Sequence, residues 1–358
     1  MKLVKKGLFL IALVVFVSLY GSKVGFANQV GFSIEPVLPE NQIDKNSGYF
    51  HLKLDQGTQQ ELTIILKNRT DKPVKLKTSV ASATTNINGV VDYDATKNKL
   101  DKTAPVNLSK QVNVPQTITL EPQSQQNVPI IVTMPDKKIP GVIAGGITFE
   151  EDKEATSEQL TSQTAVKNKF SYVVALLMQQ QDVLSVKPNL ELSDITPTQL
   201  NTKTSISAAI RNTQSAYLND MTVAVSIYKK GDKKPTYEFK KEKMQLAPNS
   251  IIEFPTFLNG NKLEPGDYEY VGKVTGRTND LDETRQEKMD WTLKKSFTIK
   301  PTVAKSLNDK DTTIVSQPMN RLLLAAIAGN IVLVLGIIGY VVYRVRKKKK
   351  IVATTING

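Results

Sequence analysis

The stretch Lys67–Thr70, KNRT, stands between two runs of alternating apolar and polar residues, and Arg211–Gln214, RNTQ, stands in the same setting further along the chain. Before the first copy, Leu62, Ile64 and Leu66 alternate with Thr63 and Lys67; after it, Val74, Leu76 and Val80 alternate with Lys75, Lys77 and Ser79. A period of two puts one face of a strand on a core and the other in water. Asn68, Thr70, Asp71 and Pro73 are turn formers, and Pro73 has no N–H to give to a central ladder, so KNRTDKP joins two strands. The second copy behaves alike: Ile206, Ala208 and Ile210 alternate up to RNTQSAYLND, and Met221, Val223, Val225 and Ile227 alternate beyond it.

Further landmarks repeat in the same order. LEPQS at Leu120–Ser124 matches LAPNS at Leu246–Ser250; Pro140 and Gly141 open GVIAGGITF as Pro265 and Gly266 open DYEYVGKVT; FSYVVALLM from Phe170 matches MDWTLKKSFTI from Met289. An ordered set of matches indicates a duplicated unit. Short strands, frequent turns and almost no helical periodicity predict an all-β chain of two tandem immunoglobulin-like β-sandwiches. If FSYVVALLM closes the first copy, module one spans 28–183 and module two 184–300, and the polar stretch Glu150–Asn168 is a loop inside module one. Asn68 to Leu120 is 52 positions whereas Asn212 to Leu246 is 34, a surplus of 18 that falls within Thr84–Gln111. A loop that only one copy carries is a natural place for a specific function.

The ends of the chain predict topology. Lys2, Lys5 and Lys6, an apolar run from Leu8 to Val17 and small residues up to Ala27 have the order of a secretory signal peptide, 1–27. Leu322–Tyr343 is 22 residues without a charge, enough to cross a hydrocarbon core about 30 Å thick, so a C-terminal transmembrane helix is expected at 321–343, after a polar stalk at 301–320. Arg344, Arg346, Lys347, Lys348, Lys349 and Lys350 follow at once, and such a cluster stays in the cytoplasm, making 344–358 a basic cytoplasmic tail. The net charge of +13 is mostly this topology signal: removing the 11 basic residues of the leader, Arg321 and the tail leaves the exported body near +2. A nucleic-acid partner is therefore not indicated. The absence of cysteine in an exported body favours a bacterial surface over a eukaryotic one.

Catalytic constellations lack their parts. With one histidine, His51, and no cysteine, a Cys-His pair and a histidine metal cluster have too few parts, no Ser-His triad is indicated, and a structural His51 is the simpler reading. Asp92, Asp94 and Thr96 resemble the start of a calcium loop, but Lys97 and Thr103 stand where an EF-hand needs Gly and Glu. Gly141, Gly145 and Gly146 lack the ending and helix of a phosphate loop and read as points of close approach. Trp291, on the last strand, is expected in the core. No catalytic, cofactor-binding or metal-binding residue is assigned, and no cofactor is expected. Asp92, Tyr93 and Asp94 in the inserted loop are the binding candidates, Tyr93 as a platform for a sugar.

The opening GFSIEPVLPENQ, the VVDYD loop, the strand PGVIAGGITF and the run YVVALLMQQ, in an order of leader, two β modules, span and basic tail, resemble the WxL-interacting proteins of Gram-positive bacteria. The resemblance covers essentially the whole chain. It implies a non-enzymatic, single-pass surface protein whose first domain binds peptidoglycan and whose second binds a host ligand such as an extracellular-matrix protein, in complexes with WxL-domain proteins. It also implies a domain boundary near residues 155–165, earlier than the repeat places it. The alternatives are a cell-wall hydrolase and a single-span receptor, the latter with only a fifteen-residue tail to signal through.

Overall fold

The computed structural model describes residues 31–93, 100–152, 170–314, 332–338 and 340. The expected signal peptide, Asp94, most of the Glu150–Asn168 loop and the basic cluster from Arg344 to Lys350 lie outside the described residues, as does all of the expected membrane span except 332–338 and 340, which are helical. Among the described residues no helix is long and apolar enough to cross a membrane. The chain divides into two compact units, one of residues 1–196, 207–256 and 267–297 and one of residues 197–206, 257–266 and 298–358.

The chain is mostly β, in two modules. The first contains β1 (Phe32–Val37), β2 (Phe50–Lys53), β3 (Gln59–Asn68), β4 (Val74–Ser82), β5 (Thr84–Thr85), β6 (Val91–Asp92), β7 (Val112–Asn113), β8 (Thr117–Leu120), β9 (Gln125–Thr133), β10 (Ile143–Glu151) and β11 (Ser171–Gln179). The second contains β12 (Leu190–Leu200), β13 (Lys203–Asn212), β14 (Leu218–Lys229), β15 (Tyr237–Leu246), β16 (Ile251–Phe257), β17 (Gly266–Thr278) and β18 (Lys288–Ile299). In module one a sheet ordered β1-β3-β9-β7 faces a sheet ordered β2-β11-β10-β4-β8. The alternation read around KNRT sends Leu62, Ile64 and Leu66 from one sheet and Leu76, Ile147 and Leu176 from the other into one shared core. In module two the orders are β12-β13-β16 and β15-β14-β17-β18. Take β2, β5, β6 and β7 away from module one and the two topologies coincide strand for strand, the structural form of the sequence repeat.

Asn68 and Asn212 explain why the punctuation recurs. Asn68 is 2 % exposed and donates its amide to the carbonyls of Lys72, Leu120 and Glu121 while accepting from the Thr70 N–H. Asn212, 0 % exposed, donates to the carbonyls of Ala216 and Ala247 and accepts from the Gln214 N–H. The two backbone N–H groups bond Ser124 O and Ser250 O, each at 2.9 Å. In both copies one buried amide ties the turn to the LEPQS or LAPNS landmark and satisfies carbonyls that burial would otherwise leave unpaired.

Two expectations need revision. The segment expected to be a stalk begins as a helix, α1 (Pro301–Lys310), in the second unit. Pro301 opens it at a position where its missing N–H costs nothing, Ala304 is buried, and Asn308 exchanges both amide bonds with the Leu263 backbone. Behind it, Asp311 accepts from the N–H groups of Thr204 and Thr313; burial raises its carboxyl pKa, but these bonds win and bring it down to about 2. Buried Ala304 is flanked by half-buried Val303 and Leu307, a strip of three apolar residues among polar ones, which is why the sequence reads as polar stalk. Trp291 is half-buried on the terminal strand of its sheet rather than enclosed in the core.

Candidate functional site

The loop found only in module one is folded against module two. Its β5–β6 hairpin and the chain after it approach the second module along the LAPNS landmark. The Ala247 N–H donates to Thr85 Oγ1, the Gln245 N–H to Gly89 O and the Asp101 N–H to Asn249 O, and Leu100 bridges to Ser250. A Cβ on Gly89 would lie 2.3 Å from Met244 Cγ, and one on Gly141 would lie 2.0 Å from Ser215 O. Glycine at these positions is therefore a condition of close approach, and the close approach comes from the chain's own second module. At the centre Arg211, the first residue of RNTQ, forks onto Asp101: Nε to Oδ2 at 2.5 Å and Nη2 to Oδ1 at 3.0 Å, with side-chain exposures of 13 % and 1 %. Burial pushes the Asp101 carboxyl up, but Arg211 and Thr103 hold it below the ordinary value, and the same contact raises Arg211.

Of the sequence candidates, Tyr93 packs against a cluster that contains Ala83, Val142, Leu177, Tyr217 and Ala247. Burial raises both its phenol and that of Tyr217. Stacking on a sugar would require the ring to leave that cluster. Asp92 ends β6 beside it, half-buried. Sequence spacing carries the existence of the insertion but not its destination, because its partners lie more than a hundred residues away.

Module two bears a groove that sequence reading missed. It is about 550 Å³ and open, on the β15-β14-β17-β18 sheet, with Asp220, Glu242 and Asp290 set among Lys243, Arg277 and Lys288. The sheet is irregular there: β14 shifts register against β15 and β17 between Leu218 and Val223. Asp220 and Lys243 adopt left-handed conformations at φ 47 and 56, and a Cβ on Gly276 would lie 2.6 Å from Leu218 Cδ1. Bulges re-aim side chains, and strained residues of this kind cluster at functional sites. Because an L-residue in this conformation costs about 1 kcal/mol and asparagine tolerates it better, Lys243→Asn is expected to raise stability by about 0.5 kcal/mol in urea denaturation.

Among the described residues no group of His, Asp or Glu is placed to hold a metal ion. Residues 32–151 match the family description "WxL Interacting Protein, peptidoglycan binding domain", and residues 161–309 match "WxL Interacting Protein, host binding domain". Both describe binding, and neither indicates a catalytic domain. The second match begins before β11, which pairs with β10 and β2 in the sheet of module one. No curated protein sequence matches the chain. Similar solved structures include the class 5 fimbriae chaperone CfaA, at 12 % identity and TM-score 0.30, covering 73 % of this chain and 98 % of that one. The Pseudomonas aeruginosa chaperone CupB2 gives 13 % and 0.28, with 65 % and 92 % covered; the PapD-like domain of human CEP192 gives 14 % and 0.26, with 43 % and 87 % covered.

Proposed function

Because the chain belongs to the WxL Interacting Protein family, we propose that it is a membrane-anchored tether of a Gram-positive surface, joining cell wall, WxL-domain proteins and a host ligand without breaking covalent bonds. Module one, 28–183, holds peptidoglycan; module two, 184–300, presents its irregular sheet face to a host matrix protein. The observation that carries this reading is the consecutive match of two binding-domain descriptions over 32–151 and 161–309. The repeat boundary at 183 is preferred because β11 hydrogen-bonds only to strands of module one in the sheet order. The groove at Asp220 and Lys243 suits the second role: its three acids and three bases balance, which fits a protein surface of mixed charge better than a polyanion.

The test is retention on purified peptidoglycan, with and without a WxL-domain protein. The full chain is expected to sediment with the wall, to carry the WxL-domain protein down with it and to release no soluble wall fragments. Failure to sediment overturns the wall-binding role, and release of fragments overturns the non-enzymatic one.

A further inference from the structure

Trp291, the only tryptophan, sits half-buried on β18, the terminal strand of the β15-β14-β17-β18 sheet. In module one the corresponding strand, β11, is not terminal, because β2 lies parallel to it over Leu176–Gln179. At the other edge of the module-two sheet, β15 is covered at its end, where the Gln245 N–H meets Gly89 O. Among the described residues no strand lies outside β18 in the sheet order. An open edge 12 residues long is a template for a further strand.

The pairing with β17 decides which backbone groups face outward. The Thr278 N–H donates to Glu287 O at 2.9 Å, and towards the other end of the ladder Tyr268 stacks on Phe297, ring centroids 5.7 Å apart. Both contacts fit one antiparallel register, so odd-numbered residues of β18 turn their N–H and C=O to β17 and even-numbered ones turn theirs away. The even-numbered side chains also face water: Lys288, Asp290, Thr292, Lys294 and Ser296 are exposed, whereas Met289 and Trp291 are half-buried and Leu293 is buried. Among the described residues the Asp290 carboxylate and the Lys294 ammonium have no hydrogen-bond or ion-pair partner. Lys295 turns its ammonium to the Ser193 carbonyl, away from the edge.

We infer that β18 pairs with β18 of a second copy of this chain, antiparallel about a two-fold axis at Thr292. This register sets Thr292 against Thr292 and Asp290 of each copy against Lys294 of the other, so both unmatched charges are met, twice over. On the core side it sets Trp291 against Leu293 in the closer, non-hydrogen-bonded type of pair, which encloses the half-buried indole. Other registers fail. Centred on Asp290, Trp291 or Lys294, the pairing sets like charges together; centred on Leu293, it leaves Asp290 opposite Ser296. Two four-stranded sheets then join edge to edge and place two copies of the groove at Asp220 and Lys243 on one continuous face. The pairing stands on the edge and its charges, independently of what either module binds.

The chain has no cysteine, so Thr292→Cys gives each copy one thiol, and a hydrogen-bonded pair on the axis holds its Cα atoms about 5.5 Å apart, within disulfide reach. In the full chain, oxidation with copper phenanthroline is expected to link Thr292→Cys into a dimer and to leave Glu238→Cys, on the opposite edge strand β15, single. Adding Asp290→Lys or Lys294→Asp to Thr292→Cys sets like charges opposite one another at both ends of the pair and should cut the yield roughly tenfold. Mixing these two chains should restore it, since each copy then meets the opposite sign twice. All the altered positions are exposed, and unchanged melting of the variants checks that they fold. No cross-link in Thr292→Cys overturns the pairing, as does a mixture no better than its parts. A cross-link indifferent to both charge changes, as association through the expected membrane span would give, overturns it too. The Asp290→Lys chain stays single, which makes it the background for distance measurements within one copy.

Discussion

Asp101→Ala is expected to cost about 3 kcal/mol and to lower the melting temperature by about 5–10 °C. The carboxylate is 1 % exposed and takes both prongs of the Arg211 fork, while its backbone N–H bonds Asn249 O and its Oδ1 takes the Thr103 N–H. Removing it leaves the guanidinium 13 % exposed with only Glu191 to meet it, at 2.8 Å. The change should do more than destabilise. It should uncouple the modules, so that calorimetry shows two transitions where the parent shows one. The pH dependence has a definite sign. Folding lowers the Asp101 pKa below its ordinary value of 3.8, so the contribution is complete above about pH 4 and disappears as pH falls through the folded value. The difference between parent and variant should therefore be full at pH 7 and narrow in acid. An unchanged single transition in Asp101→Ala would show that the fork is ornamental.

Asn212→Ala is expected to cost about 3 kcal/mol and Asn68→Ala about 2 kcal/mol, in that order. Both remove an amide that holds a turn to a distant landmark. The order follows from burial: both bonds that Asn212 donates, to Ala216 O and Ala247 O, are buried, whereas two of the three from Asn68 are only part-buried, so water can reach the carbonyls left behind. Urea titration followed by the fluorescence of Trp291, the only tryptophan, reads the second module directly. Equal and small losses, below about 0.5 kcal/mol, would mean that the turns hold without their amides.

The repeat makes much of the fold legible before any coordinates. Alternation around KNRT and RNTQ, and the order of LEPQS, GVIAGGITF and FSYVVALLM with their counterparts, correspond to β3, β4, β9, β10 and β11 and to β13, β14, β16, β17 and β18. Asn68 is recognisable as a turn residue, yet nothing local reveals that its side chain points inward to Leu120. The insertion is visible as a surplus of residues, and Tyr93 draws attention as an exposed-looking aromatic between two aspartates. Its packing against Tyr217 depends on how one module meets the other, which no local pattern encodes. The pockets where the modules meet are harder still, since their walls come from residues near 41–55, 142, 177–187 and 279–287. Helix α1 escapes notice because its apolar face is only Val303, Ala304 and Leu307 among polar residues.

The clamp gives the insertion a role that fits both duties of the chain. Asp101, Thr85 and Gly89 fix module one to Arg211, Ala247 and Gln245 of module two. The chain has no cysteine, so Lys110→Cys and Lys230→Cys, both exposed and one in each module, introduce two unique spin-label sites. Pulsed electron paramagnetic resonance at neutral pH is predicted to give a single narrow distance distribution in this pair and a broad one once Asp101→Ala is added; a broad distribution with Asp101 and Arg211 intact would contradict the account.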